Sequence, residues 1–264
     1  MIDRDALRLL AEATATEAGA LLLAGLDKVR TDVRTKSTGT DMVSEMDRAA
    51  EALIVDRLLG ARPGDGMMGE EGTDLPGTSG VRWIVDPLDG TTNYLYGLAG
   101  FGVSIAAEHE GTVVAGVVLD VVRGELFAAT LGAGATRNGT AIVASPANRL
   151  ATSLIATGFS YEAARRAKQA AVLVEVIPYV RDIRRLGAAA VDLCSVACGR
   201  VDGYYEGGLA PWDVAAGALI ASEGGAVVTD LHGSPARGDS VIAAAPGIAD
   251  ELRELVLSAG AANA

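Results

Sequence analysis

The run Trp83-Ile84-Val85-Asp86-Pro87-Leu88-Asp89-Gly90-Thr91-Thr92-Asn93 constrains this chain more than any other stretch. It carries two carboxylates and two hydroxyls from the end of an apolar strand into a sharp turn. Trp83, Ile84 and Val85 read as a short buried strand. Pro87 biases Asp86 toward extended geometry, which predicts a strand that ends with this carboxylate at the rim of a sheet. Gly90 permits the turn, and Thr91 and Thr92 are placed to cap a following helix whose first amides then face an anion. Such a turn suits a metal held against a phosphate.

Helical spacing of Leu7, Leu10, Ala18, Leu21 and Leu22 predicts a first helix from about Asp3 to Val29, followed by a polar loop from Thr31 to Thr40. A second helix is expected from Ser44 to Leu59, ended by Gly60 and Arg62-Pro63-Gly64. Val103 to Glu108, Val113 to Val121 and Glu125 to Thr130 read as antiparallel strands joined at Glu110-Gly111 and Arg123-Gly124. Beyond Gly132-Ala133-Gly134 and Asn138-Gly139 the pattern changes to strands alternating with helices: Ser153 to Thr157, Tyr161 to Val176, Tyr179 to Arg184, Ala188 to Cys198, Gly203 to Glu206, Trp212 to Glu223, Ser240 to Ala245 and Ile248 to Leu257. The change predicts two tightly packed units, residues 1–138 and 139–264.

The chain has 264 residues, half of them apolar, which is enough for a substantial core. A net charge of -12 argues against general nucleic-acid binding, which needs a basic surface. The N-terminal stretch lacks the basic segment and apolar core of a signal peptide, and no uninterrupted apolar run reaches membrane-spanning length, so a soluble cytoplasmic protein with no membrane partner is expected. Cys194 and Cys198 are the only cysteines, four apart on a predicted helix. With His109 and His232 the only histidines, they read as small buried apolar groups and not as a zinc or redox site.

Further acidic features stand apart from the opening run: Asp41 and Asp47 after Lys36-Ser37, Glu70-Glu71 after Met67-Met68-Gly69, and Asp213 after Trp212. Each alone could be a solvated side chain, or, for Asp213, an acid stabilising the first turn of its helix. Glu70 and Asp86 both follow apolar residues, so they are expected at neighbouring strand ends. Two like charges about 4 Å apart repel by roughly 4 kcal/mol at an effective dielectric near 20, so converging carboxylates need a cation. Hard oxygen donors without a thiol or imidazole cluster favour Mg2+ or Mn2+. Two such ions about 3.5 to 4 Å apart would suit phosphate ester hydrolysis.

The ordered set Lys36-Ser37 to Asp47, Gly69-Glu70-Glu71, Asp86-Pro87-Leu88-Asp89-Gly90-Thr91-Thr92-Asn93 and Trp212-Asp213-Val214-Ala215-Ala216-Gly217 resembles the inositol monophosphatase family of Mg2+-dependent, lithium-sensitive phosphatases. The resemblance implies an α/β fold layered as an alternating α-β-α-β-α sandwich, usually a homodimer. It implies that Glu70, Asp86 and the Leu88 carbonyl hold one Mg2+, that Asp86, Asp89 and Asp213 hold a second, and that a third ion, where used, sits near Glu70. Glu70 and Thr91 would orient the attacking water, with Asp47 hydrogen-bonded to Thr91. Gly90 and Thr91 would bind phosphate through their amides and Lys36 through its charge, while Ala189, Glu206 and Asp213 would contact the polyol. Ala188 stands where many members carry a hydroxyl, which removes one polyol contact.

The implied reaction is hydrolysis of inositol 1-phosphate, a small phosphorylated polyol, by direct in-line attack of water. Histidinol phosphate, fructose 1,6-bisphosphate and nucleotide 3'-phosphates are the alternative substrates. The alternative of another class is a regulatory, RNA-polymerase-associated protein that retains the fold.

Overall fold

A computed structural model describes the backbone of residues 2–32 and 39–263 and the side chains of residues 2–26 and 45–262. The first half runs through α1 (Arg4–Asp32), α2 (Gly39–Ala61), β1 (Gly66–Gly69), β2 (Asp74–Leu75), β3 (Val81–Asp89), α3 (Thr91–Tyr96), β4 (Gly102–His109), β5 (Thr112–Asp120), β6 (Glu125–Thr130), β7 (Ala135–Arg137) and β8 (Thr140–Ala141). The second runs through β9 (Leu154–Thr157), α4 (Ala163–Val176), β10 (Asp182–Arg184), α5 (Ala189–Ala197), β11 (Gly203–Leu209), α6 (Pro211–Glu223), β12 (Val227–Thr229), β13 (Asp239–Ala244) and α7 (Ala249–Ser258). The strands form an eight-stranded sheet, β2-β1-β3-β4-β5-β6-β7-β8, and a five-stranded sheet, β10-β9-β11-β13-β12.

Period-two alternation along the strands assigns the layers. Trp83 and Val85 of β3 face α1 and α2, whose Leu7, Leu22, Ile54 and Leu58 complete one core. Ile84, between them, faces the opposite way into a second core, shared by Ala106, Val118 and Phe127 with Leu193 of α5, Ile220 of α6 and Tyr204 of the second sheet. A third core joins Ile155, Tyr205 and Ile242 to Val172 and Val176 of α4 and Leu252 and Val256 of α7. The expected α-β-α-β-α sandwich follows: β3 is covered on both faces, which is why its sequence reads as a continuous apolar run.

By length and composition, Arg4–Leu26 could cross a membrane, but Asp5, Arg8, Glu12 and Glu17 interrupt it, so it is not an uninterrupted apolar run. Alanines raise its apolar character, yet Leu7, Ala11, Ala15, Ala18 and Leu22 form a buried stripe packed on the first core, as in an amphipathic core helix. Other boundaries move. The strand expected to end at Asp86 continues to Asp89, with a register irregularity between Asp86 and Asp89 that accommodates Pro87. Asn138 and Gly139, both at positive φ, form the turn between β7 and β8, so the first sheet extends past residue 138 to Ala141. Cys194 is buried within α5, whereas Cys198 is the half-buried residue that ends it, and both are free thiols.

Candidate active site

The opening run and its acidic companions meet at one end of the first sheet. β1 and β3 are parallel neighbours with Met68 opposite Ile84 and Gly69 opposite Val85, and the Glu70 amide donates to the Val85 carbonyl at 3.2 Å. Glu70, just past the end of β1, and Asp86, within β3, therefore stand side by side, near enough for the charge of Glu70 to raise the Asp86 carboxyl. Glu70 lies exposed at the mouth, while Asp86 is buried behind it. Burial first, then the charges of Glu70, Asp89 and Asp213, push the Asp86 carboxyl well above its usual range. The Leu88 amide donates back to Asp86 Oδ1 at 2.9 Å and closes the turn around Pro87.

Asp89 accepts hydrogen bonds from the amides of Ala189 at 3.2 Å and Ala190 at 2.7 Å. Helix α5 has no side-chain cap of its own, since Ala188 precedes it, so a carboxylate from the other half of the chain supplies the negative charge at its start. Burial and then the nearby Asp213 charge raise the Asp89 carboxyl well above its usual range, opposed by the Ala190 amide. Asp213, in the first turn of α6, accepts from the Ala210 amide at 2.7 Å and is itself raised by burial. The helix-stabilising reading of Asp213 and its place beside the other acids hold together.

Asp47 is buried on α2, and its carboxyl is pushed up to about 8 by burial and by the charges of Glu70, Glu71 and Glu51. The expected Asp47–Thr91 hydrogen bond is corrected here: the Thr91 hydroxyl donates to the Leu88 carbonyl at 3.1 Å, and Asp47 Oδ1 has no partner among the described residues. The tight turn brings that carbonyl, three residues upstream, within reach of the hydroxyl. Thr91 and Thr92 do not cap α3 either; Gly90, at φ 88, occupies the cap position and both threonines lie inside the first turn.

A Cβ on Gly90 would lie 2.8 Å from the Gly100 carbonyl oxygen and 3.1 Å from both Phe101 Cα and Ala188 Cβ. Gly90→Ala should therefore destabilise the protein by about 2–4 kcal/mol, summing a left-handed backbone penalty and overpacking. Chemical denaturation measures this loss, and an unchanged midpoint would contradict it.

Three site-supporting residues were missed in the sequence. Glu51 is buried and accepts from the amides of Glu71 at 3.0 Å and Thr73 at 3.2 Å, holding the turn that carries Glu70. Asn93 donates through Nδ2 to the carbonyls of Gly100 at 2.6 Å and Leu186 at 2.7 Å, tying the opening turn to the segment before α5. Asp192, buried in α5, is raised by burial and by the charges of Glu206 and Asp89. The signals were present as an acid one helical turn after Asp47 and an acid inside the apolar stretch Ala189–Ala197.

Glu206, half-buried on β11, accepts from the Tyr204 hydroxyl at 2.5 Å. Burial raises its carboxyl, Tyr204 and Arg185 lower it, and Asp213 raises it again, which places Glu206 beside the acidic cluster. Ala189 lies at the start of α5 with its amide turned to Asp89. Lys36 lies outside the described residues.

Among the described residues, no three carboxyl, thiol or imidazole groups are drawn together as a ready coordination sphere. The electrostatics are nevertheless those of a cation site. Glu70, Asp86, Asp89 and Asp213 are all raised, burial being the largest cause for each, and Glu70, Asp86 and Asp89 are raised further by one another or by Asp213. Acidic oxygen donors held this way fit a hard divalent cation, and such an ion would relieve the repulsion the protein otherwise relieves by retaining protons.

The sequence matches the inositol monophosphatase family over residues 3–260. It is 45% identical to the Inositol-1-monophosphatase of Mycobacterium leprae, over 95% of this chain and 93% of that protein. It is 40% identical to the Nus factor SuhB of Escherichia coli K12, over 85% of each. The fold superposes on the structure of Mycobacterium tuberculosis SuhB with a TM-score of 0.86 at 41% identity, covering 98% of this chain and 99% of that one. Motif order, layered fold and acidic site thus lead to one conclusion: the chain belongs to the inositol monophosphatase family.

Proposed function

We propose that this protein hydrolyses inositol 1-phosphate to inositol and phosphate with Mg2+, as a soluble cytoplasmic enzyme. The observation that carries the reading is that Glu70, just past β1, and Asp86 and Asp89 of β3 lie near enough to Asp213 of α6 for its charge to raise all three carboxyls, which burial raises most. Glu70, Asp86 and the Leu88 carbonyl would hold one Mg2+; Asp86, Asp89 and Asp213 would hold another, and any third would lie near Glu70. Mg2+, or Mn2+ in its place, supplies Lewis acidity that acidifies water and neutralises phosphoryl oxygens.

The residues of the chain do the rest. The Thr91 hydroxyl gives its proton to the Leu88 carbonyl, so its lone pairs are left to accept from the attacking water. Glu70, at the exposed mouth, orients that water and accepts its proton. Asp47, buried on α2 within reach of the Glu70 charge, would retain its proton in the absence of metal and be available to donate a hydrogen bond toward the site. The backbone of Gly90 and Thr91, with Lys36, would hold the phosphate. Tyr204 fixes one oxygen of Glu206, so the carboxylate is oriented for its other oxygen to accept from a ring hydroxyl. Ala189 and Asp213 border the same alcohol. The ligands then come mainly from residues 1–138, and the polyol contacts from 139–264, with a homodimer as the assembly.

Substrate choice is tested by kcat/KM over inositol 1-phosphate, histidinol phosphate and fructose 1,6-bisphosphate. A preference of at least about tenfold for the first is expected, roughly 1.4 kcal/mol of differential transition-state binding. A reversed preference would reassign the alcohol and leave the chemistry in place. A second reading, a regulatory role, is supported by the similarity to the Escherichia coli protein named Nus factor SuhB and can coexist with turnover.

A further inference from the structure

One aromatic side chain, Tyr161, links the second half of the protein to the turn after Asp89 without taking part in the mechanism. Between β9 and α4, residues 158–162 pass from the polyol end of the site to its phosphate end. Their start is fixed beneath Glu206, where a Cβ on Gly158 would overlap Oε2. Their middle is fixed by Gln169, buried on α4, which accepts from the Ser160 amide at 2.7 Å and donates to the Gly207 carbonyl at 2.9 Å. Arg166 Nη1 donates to the carbonyls of Ser160 and Tyr161, each at 3.3 Å.

The backbone is thus held without help from the Tyr161 side chain. That side chain instead reaches the other half of the protein, where its phenol oxygen accepts from the Thr92 hydroxyl at 3.1 Å, next to Thr91. Its ring remains 74% exposed. A rigid segment that carries a large aromatic toward Thr92, held among the described residues through its phenol, leaves an apolar face available for a ligand to cover. A cyclic polyol has the matching chemistry, because its ring presents C–H groups on its faces and hydroxyls at its rim, the latter within the province of Glu206.

We infer that Tyr161 is a specificity-determining residue: carried on the segment that starts beneath Glu206 and reaching Thr92 with its phenol, it covers the ring of the leaving alcohol and favours cyclic polyol phosphates over short acyclic ones. The inference rests on the phosphatase reading above.

The test compares inositol 1-phosphate with glycerol 2-phosphate in wild type, Tyr161→Ala and Tyr161→Phe, all with Mg2+. For Tyr161→Ala, kcat/KM on inositol 1-phosphate should fall about tenfold, mainly through KM, and that on glycerol 2-phosphate by less than about threefold. Tyr161→Phe, which keeps the ring, should stay within about threefold of wild type on inositol 1-phosphate. Equal losses on the two substrates, or no loss on inositol 1-phosphate, would overturn the inference while leaving the phosphatase intact. Absence of turnover by wild type on both substrates would overturn the reading of the site and the inference with it. An exposed position should leave melting nearly unchanged, so melting curves identify a folding defect, and the ratio of kcat/KM on the two substrates, which loss of folded protein leaves unchanged, decides the matter if the alanine variant shows one.

Discussion

Asparagine in place of Asp89 should lower kcat/KM on inositol 1-phosphate by at least about a hundredfold while the protein stays folded. The substitution keeps shape and an acceptor oxygen for the Ala190 amide, and loses the weaker acceptance from the Ala189 amide, so α5 retains one partner at its start. It removes the negative charge proposed to hold an ion with Asp86 and Asp213. In chelator the same variant should melt within a few degrees of wild type, because loss of the Ala189 acceptor is offset by removal of a charge that burial and Asp213 make unfavourable. Steady-state kinetics with a Mg2+ titration and a melting curve in EDTA check both parts. Near-normal turnover at low Mg2+ would remove Asp89 from the ligand set.

The second large effect is a pH dependence of stability that Mg2+ reverses. In the unfolded chain Asp47 loses its proton near the ordinary aspartate value of 3.8, whereas in the folded protein it does so at about 8. Its stabilising contribution is therefore complete below the lower value and declines as pH rises through the higher one, since the folded state binds more protons between them. Glu70, Asp86, Asp89 and Asp213 are raised as well and act with the same sign. The metal-free protein should thus melt at progressively lower temperature from about pH 5 to pH 8, with a shallower slope in Asp47→Asn.

Mg2+ at pH 8 should reverse the trend. An ion present at a hundred times its Kd stabilises by about 2.7 kcal/mol, or roughly 5–10 °C for a chain of this size. Differential scanning calorimetry in EDTA and in Mg2+ measures both slopes. A metal-free Tm that climbs from pH 5 to pH 8, or a Tm indifferent to Mg2+, would be inconsistent with a carboxylate cluster built for a cation.

Strand β3 was legible because both its faces are covered, so its residues are apolar without alternation. Its partner β1 was legible from Met67-Met68, and their parallel register is what turns two distant acids, Glu70 and Asp86, into neighbours. Strands of two or three residues, β7, β8 and β12, are too short to show a period. The partner of Thr91 depended on turn geometry, which decides between a carboxylate on another helix and a carbonyl three residues away. Glu51 was hidden by its type, since a glutamate one turn beyond another acid reads as solvated; its role emerges only when the β1 turn folds over it. Tyr161 likewise gave no signal, because its contact with Thr92 joins residues 69 positions apart.

The central claim is that these carboxylates serve metal-dependent hydrolysis of a phosphate ester. The most direct measurement is release of inorganic phosphate from inositol 1-phosphate by the purified protein, in Mg2+ and in excess EDTA. The predicted result is sustained turnover with Mg2+, abolished by the chelator and restored by added Mg2+. Turnover that survives chelation unchanged, or no release at any Mg2+ concentration from inositol 1-phosphate or any other small phosphomonoester, would contradict it.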